Sequence, residues 1–232
     1  MKDINLILWC AGVTLQILLL GVLWLRGLLR RFPVFTTLIV FFIVRSVALF
    51  GLFGHVSRGA YASLYDVLSL ADVGLQILVG AEIAVGLLRA QIGRRRGATA
   101  LGLYAGAVAI AAAAAAVMPI RGPAPTDRGS AFASVLLLLV CVWGIAVRVG
   151  GAIRRLAAGF AVYSGVALVA AVERNSAALH HRPGAYQAGA YAQSGTYIAV
   201  VLFWIWAFWA AKAGIRNGTA AENEPRPDGQ TA

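Results

Sequence analysis

Seven apolar runs recur along the chain, separated by short polar or basic stretches. Each reaches the roughly 17 residues that a helix needs to cross the hydrocarbon of a bilayer. The pattern predicts helices over residues 5–25, 34–54, 64–89, 98–118, 131–149, 156–172 and 190–211. Together they form an all-α, polytopic membrane protein, a seven-transmembrane-helix bundle occupying residues 1–213. Residues 214–232, with Pro225, Pro227 and acidic side chains, are too polar to bury a core and predict a disordered cytoplasmic tail.

The third run, LYDVLSLADVGLQILVGAEIAVGLLR, carries Asp72, Gln76 and Glu82 inside its span. A polar group in hydrocarbon costs several kcal/mol, so these side chains are expected to face other helices. Depth along each helix follows from a rise of about 1.5 Å per residue. Arg45 then lies about 14 Å below the outer end of the second helix, Asp72 about 12 Å below that of the third, and Gln16 about 16 Å below that of the first. Three polar residues on consecutive helices share one level, and a buried Arg needs a carboxylate. Arg45, Asp72 and Gln16, with Gln76 one turn from Asp72, are therefore expected to form a polar core open to a ligand or a proton. Glu82 points about 80° away from Asp72 around the helix and is expected to serve another neighbour, the basic inner loops.

The last run is divided. Its first half carries Gln193, Ser194, Thr196 and Tyr197, which with Tyr61, Tyr186 and Tyr191 suggest an outer pocket. Its second half carries Trp204, Trp206 and Trp209, read as an interfacial aromatic belt. In the fourth run Ala98, Gly102 and Gly106, and likewise Ala105, Ala109 and Ala113, recur at every fourth position, a spacing that lets helix backbones approach closely.

Composition sharpens this picture. The chain is 60% hydrophobic and only 12% charged, with a mean hydropathy of +0.80, about half the charge of a soluble domain. Its net charge of +11 does not indicate nucleic acid, because the arginines sit in short loops between apolar runs. Arg26, Arg30, Arg31, Arg89, Arg94, Arg95, Arg96, Arg148, Arg154, Arg155, Lys212, Arg216 and Arg226 fall on one side of the seven-helix arrangement. Only Lys2, Arg58, Arg121, Arg128, Arg174 and Arg182 fall on the other. The richer side is expected to be cytoplasmic, placing the N-terminus outside and the C-terminus inside. The first run is longer than the apolar core of a signal peptide and is read as a retained anchor.

Several chemistries are set aside. Cys10 and Cys141 lie within apolar runs and make no disulfide framework. His180 and His181 are adjacent and diverge, so no metal site is expected. No lysine falls within a span to carry a retinal Schiff base, and no histidine lies deep enough to ligate haem. No Gly-x-Ser-x-Gly elbow, Walker loop or His-Glu-x-x-His sequence occurs. No cofactor is expected, and an enzymatic role is disfavoured. All seven prolines are placed in loops or the tail.

The stretch LQILLLGVLWLRGLLRRFP, residues 15–33, continues as VFTTLIVFFIVRS, and Ala81-Glu82-Ile83 follows later. A Gln in the first helix, a basic Phe-Pro turn, an Arg in the second helix and a Glu late in the third resemble an uncharacterised group of small bacterial seven-helix integral membrane proteins. The resemblance covers the N-terminal third. It implies a multi-pass protein of the bacterial inner membrane and brings no assigned activity. The expected function is that of a non-enzymatic protein in the lipid bilayer that senses or scaffolds through a separate membrane or cytoplasmic protein partner. The alternatives are a small-solute or proton-coupled transporter using Asp72, Gln76 and Glu82, and an intramembrane lipid-modifying enzyme with Glu82 or Asp72 as base.

Overall fold

The computed structural model describes residues 2–91, 97–117, 125–146, 151–180 and 182–210. Among the described residues every regular element is an α-helix: α1 (Lys2–Leu25), α2 (Pro33–Leu52), α3 (Arg58–Gln91), α4 (Gly97–Val117), α5 (Pro125–Ala146), α6 (Ala152–Leu179) and α7 (Pro183–Ala210). Six contain stretches long and apolar enough to cross a membrane; in α4 the apolar stretch is Tyr104–Ala113. The tail, Arg94 to Arg96 and residues 118–124 lie outside the described residues.

The helices are longer than the apolar runs alone suggest. Pro33, Pro125 and Pro183, assigned from the sequence to loops, each open a helix. Proline's fixed φ suits the first turn, where its missing N–H would have had no partner. With α6 reaching Leu179 and α7 beginning at Pro183, both helices extend into the loop expected over 173–189.

Six helices close a ring in the order α1, α2, α3, α5, α6, α7, while α4 packs outside it against α5 and α3. Glycines fix the register of α3 on α5: Gly129 faces Val73, Gly80 faces Leu137 and Gly144 faces Leu87. These pairs advance together, so α3 and α5 run parallel. The chain must return between them, and α4, at about 1.5 Å per residue, is long enough to do so. Arg26, Arg30, Arg31, Arg154 and Arg155 gather at one end of the ring, termed here the basic end.

Packing differs along the bundle axis. Towards the basic end, Leu19 and Leu23 of α1, Phe35, Leu38 and Ile39 of α2, Ile83 and Leu87 of α3, and Val201 and Phe208 of α7 are all buried. In the opposite half the same helices hold no buried residue among those described: 6–15 in α1, 40–52 in α2, 58–72 in α3 and 184–199 in α7. Helices α5 and α6 stay packed to that end, with Ala131, Ala133, Ala170 and Ala177 buried. The ring is closed at its basic end; at the other, termed the open half, four helices still touch, as Trp9 of α1 does on Phe50 of α2 at 4.3 Å, but fully bury no described side chain.

Candidate functional site

The polar layer lies where the closed half ends. On α3 Tyr65, Ser69, Asp72 and Gln76 are spaced by four, three and four residues, which places them on one helical face. Arg45 reaches this face from α2. Its Nη1 donates to Asp72 Oδ2 at 2.8 Å and its Nη2 to Ser69 Oγ at 3.2 Å. Its guanidinium also lies 5.4 Å from the centroid of the Tyr65 ring. Gln76 Nε2 donates to the other Asp72 oxygen at 2.8 Å. The Arg45 and Asp72 side chains remain 17% and 18% exposed, so the pair borders the open half. Sequence reasoning missed Ser69 and Tyr65, although their three- and seven-residue spacing from Asp72 was the available signal.

Gln16 makes a different contact. Its Nε2 donates to the Tyr197 hydroxyl at 2.7 Å. α1 and α7 pack side by side, so the buried amide of Gln16 finds the hydroxyl level with it on α7. Tyr197 in turn packs edge-on against Phe42 of α2 and Tyr163 of α6, with centroids 5.9 and 5.8 Å apart. Phe42, Gln76, Tyr163 and Tyr197 line a cavity on the bundle axis that leaves about 10 Å³ for the centre of a water molecule. That is room for about one water.

Below the cavity three aromatic rings close the axis. Phe35, Phe160 and Trp204 stand 5.8, 5.1 and 4.8 Å apart, centroid to centroid. Gly159 makes this possible, because any Cβ there would overlap the Trp204 indole. Of the three tryptophans read as a membrane belt, Trp204 is therefore core, at 2% exposure, whereas Trp206 and Trp209 are exposed. The difference arises because Trp204 faces α6 across the glycine.

Glu82 belongs to the helix ends rather than to the polar layer. The first turn of α2 has Phe32 as its N-cap and no capping side chain of its own. Glu82 of α3 supplies the cap across the interface: Oε1 accepts from Val34 N at 3.0 Å and Oε2 from Phe35 N at 2.9 Å. These N–H groups have no partner within their own helix, and an anion suits the positive end of its dipole. Among the described residues it is thus the backbone of α2, and not the basic inner loops as expected, that takes Glu82. The end of α7 has the converse arrangement. Arg155 Nη1 donates to Ala207 O at 2.6 Å, and Arg26 Nη2 donates to Trp209 O. Arg26 is presented by the close of α1, where Gly27, at φ +65°, turns the chain as Leu28 N bonds Leu23 O.

The residues expected to form an outer pocket are only partly gathered. Tyr61 lies in the first turn of α3 and packs on Phe53 at 5.9 Å. Tyr186 and Tyr191 are exposed. Gln193, Thr196 and Tyr197 share the half-buried face of α7. No family model, no curated protein and no solved structure matches the chain.

Proposed function

We propose that the chain is a non-enzymatic, seven-helix protein of the bacterial inner membrane that senses on its outer side and acts through a protein partner on its cytoplasmic side. The basic end is cytoplasmic in this reading, as the distribution of arginine favours. The parallel course of α3 and α5 supports α4 as a seventh crossing, because two parallel crossings need an odd number of passes between them and α4 is the helix that lies there among the described residues. The observation that carries the proposal is the asymmetry of packing. The open half ends on a floor of Arg45, Asp72 and Gln76, while Phe35, Phe160 and Trp204 close the axis beneath it. A solute reaching the floor meets charges that hold α2 to α3. It can bias the spacing of those helices without passing through. Asp72 and Glu82 are each engaged by donors, which favours a structural use of these two carboxylates over service as a general base.

A transporter is the second reading, favoured by the partly exposed Asp72 and the small cavity beside Gln76. The two are separated by purifying the full chain from native membrane with its partners and by measuring solute and proton flux in proteoliposomes. The expected result is a stoichiometric protein partner, recovered in severalfold different yield with Asp72→Asn, and no flux. Flux that disappears in Asp72→Asn, without a partner, would overturn the proposal. A reporter fused to the C-terminus is expected to be active only on the cytoplasmic side, and activity outside would overturn the topology.

A further inference from the structure

At the basic end, cations and indoles are brought together, and among the described residues these cations have no carboxylate partner. Arg26 lies against α7 from α1, with its guanidinium 4.9 Å from the Trp209 ring centroid, and Arg155 lies against α7 from α6. Among the described residues each uses a single N–H on an α7 carbonyl, and a guanidinium has five. Arg30 and Arg31 follow in the exposed turn after α1, and Arg154 is exposed at the start of α6. Among the described residues Glu82 is the one carboxylate at this end, and both of its oxygens are engaged by α2. The adjoining ends of α1 and α7 carry exposed apolar side chains: Trp24 is 72% exposed, Leu25 69%, Trp206 67% and Trp209 57%. The Gln16–Tyr197 and Arg26–Trp209 contacts set α1 beside α7 so that Trp24 comes level with Trp206.

We infer that this corner between α1 and α7 binds the phosphate of an anionic phospholipid, with Arg26 and Arg30 as the phosphate ligands. Exposed indoles settle at the headgroup level of a bilayer, which places a lipid phosphate at the depth of the guanidiniums. Guanidinium matches phosphate by paired N–H donors, and a cluster of cations beside apolar surface selects an anionic headgroup over a zwitterionic one. Arg26 is already oriented by Trp209 O and the Trp209 ring, so little side-chain freedom remains to be lost on binding. Exposed Leu25, Trp24 and Trp206 cover the acyl chains. The inference rests on the membrane-spanning reading and not on the sensing role, so a failed partner search leaves it standing.

The test is native mass spectrometry of the full chain in detergent with equal amounts of phosphatidylglycerol and phosphatidylcholine. The expected result is preferential retention of phosphatidylglycerol, reduced about fivefold by each of Arg26→Gln and Arg30→Gln. Arg26→Gln also uncaps α7, whereas Arg30 is an exposed turn residue, so the second variant separates lipid binding from folding. Equal retention of the two lipids, or a preference unchanged in Arg30→Gln, overturns the site. Full displacement by millimolar inorganic phosphate identifies a free-anion site instead and also overturns it. So does a preference that emerges only after Glu222→Gln, Glu224→Gln and Asp228→Asn, since the acidic tail would then be the occupant.

Discussion

Asp72 and Glu82 lie ten residues apart on α3, and each carboxylate is held by two donors of a different kind. Asp72 takes side chains, Arg45 from α2 and Gln76 from its own helix. Glu82 takes backbone, the N–H groups of Val34 and Phe35. The first pair stands at the edge of the open half and the second inside the closed half. A side-chain ion pair can separate and re-form with little change elsewhere, because both partners hang on rotatable bonds. A carboxylate capping a helix end ties the start of α2 to α3, and its release exposes unpaired N–H groups. The contrast is between a contact that can rearrange locally and one that ties two helices together.

Stability measurements in mixed micelles can break this comparison. The largest loss is expected for Glu82→Leu, about 3–4 kcal/mol, from two N–H groups left without acceptors and a helix dipole without its anion. Glu82→Gln retains one acceptor and should cost about half as much. Equal stability of Glu82→Leu and the parent protein would show that the cap does not hold the closed half. Gly159→Ala should follow at about 2–3 kcal/mol, because the new methyl displaces the Trp204 indole from the aromatic stack. Tryptophan fluorescence should shift in the same variant.

Asp72→Leu strands Arg45 and should cost about 2 kcal/mol, less than for a fully buried pair because both groups are partly exposed. Adding Arg45→Leu to it is expected to restore stability to within about 1 kcal/mol of the parent. A double variant as unstable as the single one would mean that the pair is a strut like Glu82. The smallest effect on stability, and the sharpest on access, concerns introduced cysteines. Thr196→Cys, in the open half, should react readily with a water-soluble maleimide. Ala207→Cys, at 3% exposure, should resist it. Equal labelling would remove the distinction between the halves.

How much of this was legible in the sequence depended on whether a partner has a letter of its own. Ionic residues within apolar runs are scarce, and a depth estimate sufficed to bring Arg45 to Asp72. Ser69 and Tyr65 were equally legible through their spacing on one face. The partner of Glu82 was not, because backbone N–H groups occur at every residue and only the fold decides which lack an acceptor. Trp204 was read with Trp206 and Trp209 because all three share a residue type and a region. Their environments separate only when Gly159 is placed opposite one of them.

The chain itself determined the seven helices of the described residues, where most of them run, and that charge at mid-depth must be matched by opposite charge. Those outcomes follow from hydrophobicity and from the cost of an unpaired ion, which act residue by residue. Tertiary structure decided that α4 stands outside the ring, that Gln16 bonds Tyr197, and that four helices bury no described residue beyond the polar layer while the basic end closes. These depend on which helices become neighbours and in what register. Such choices are set by small differences in side-chain packing summed over whole interfaces, which no single position records.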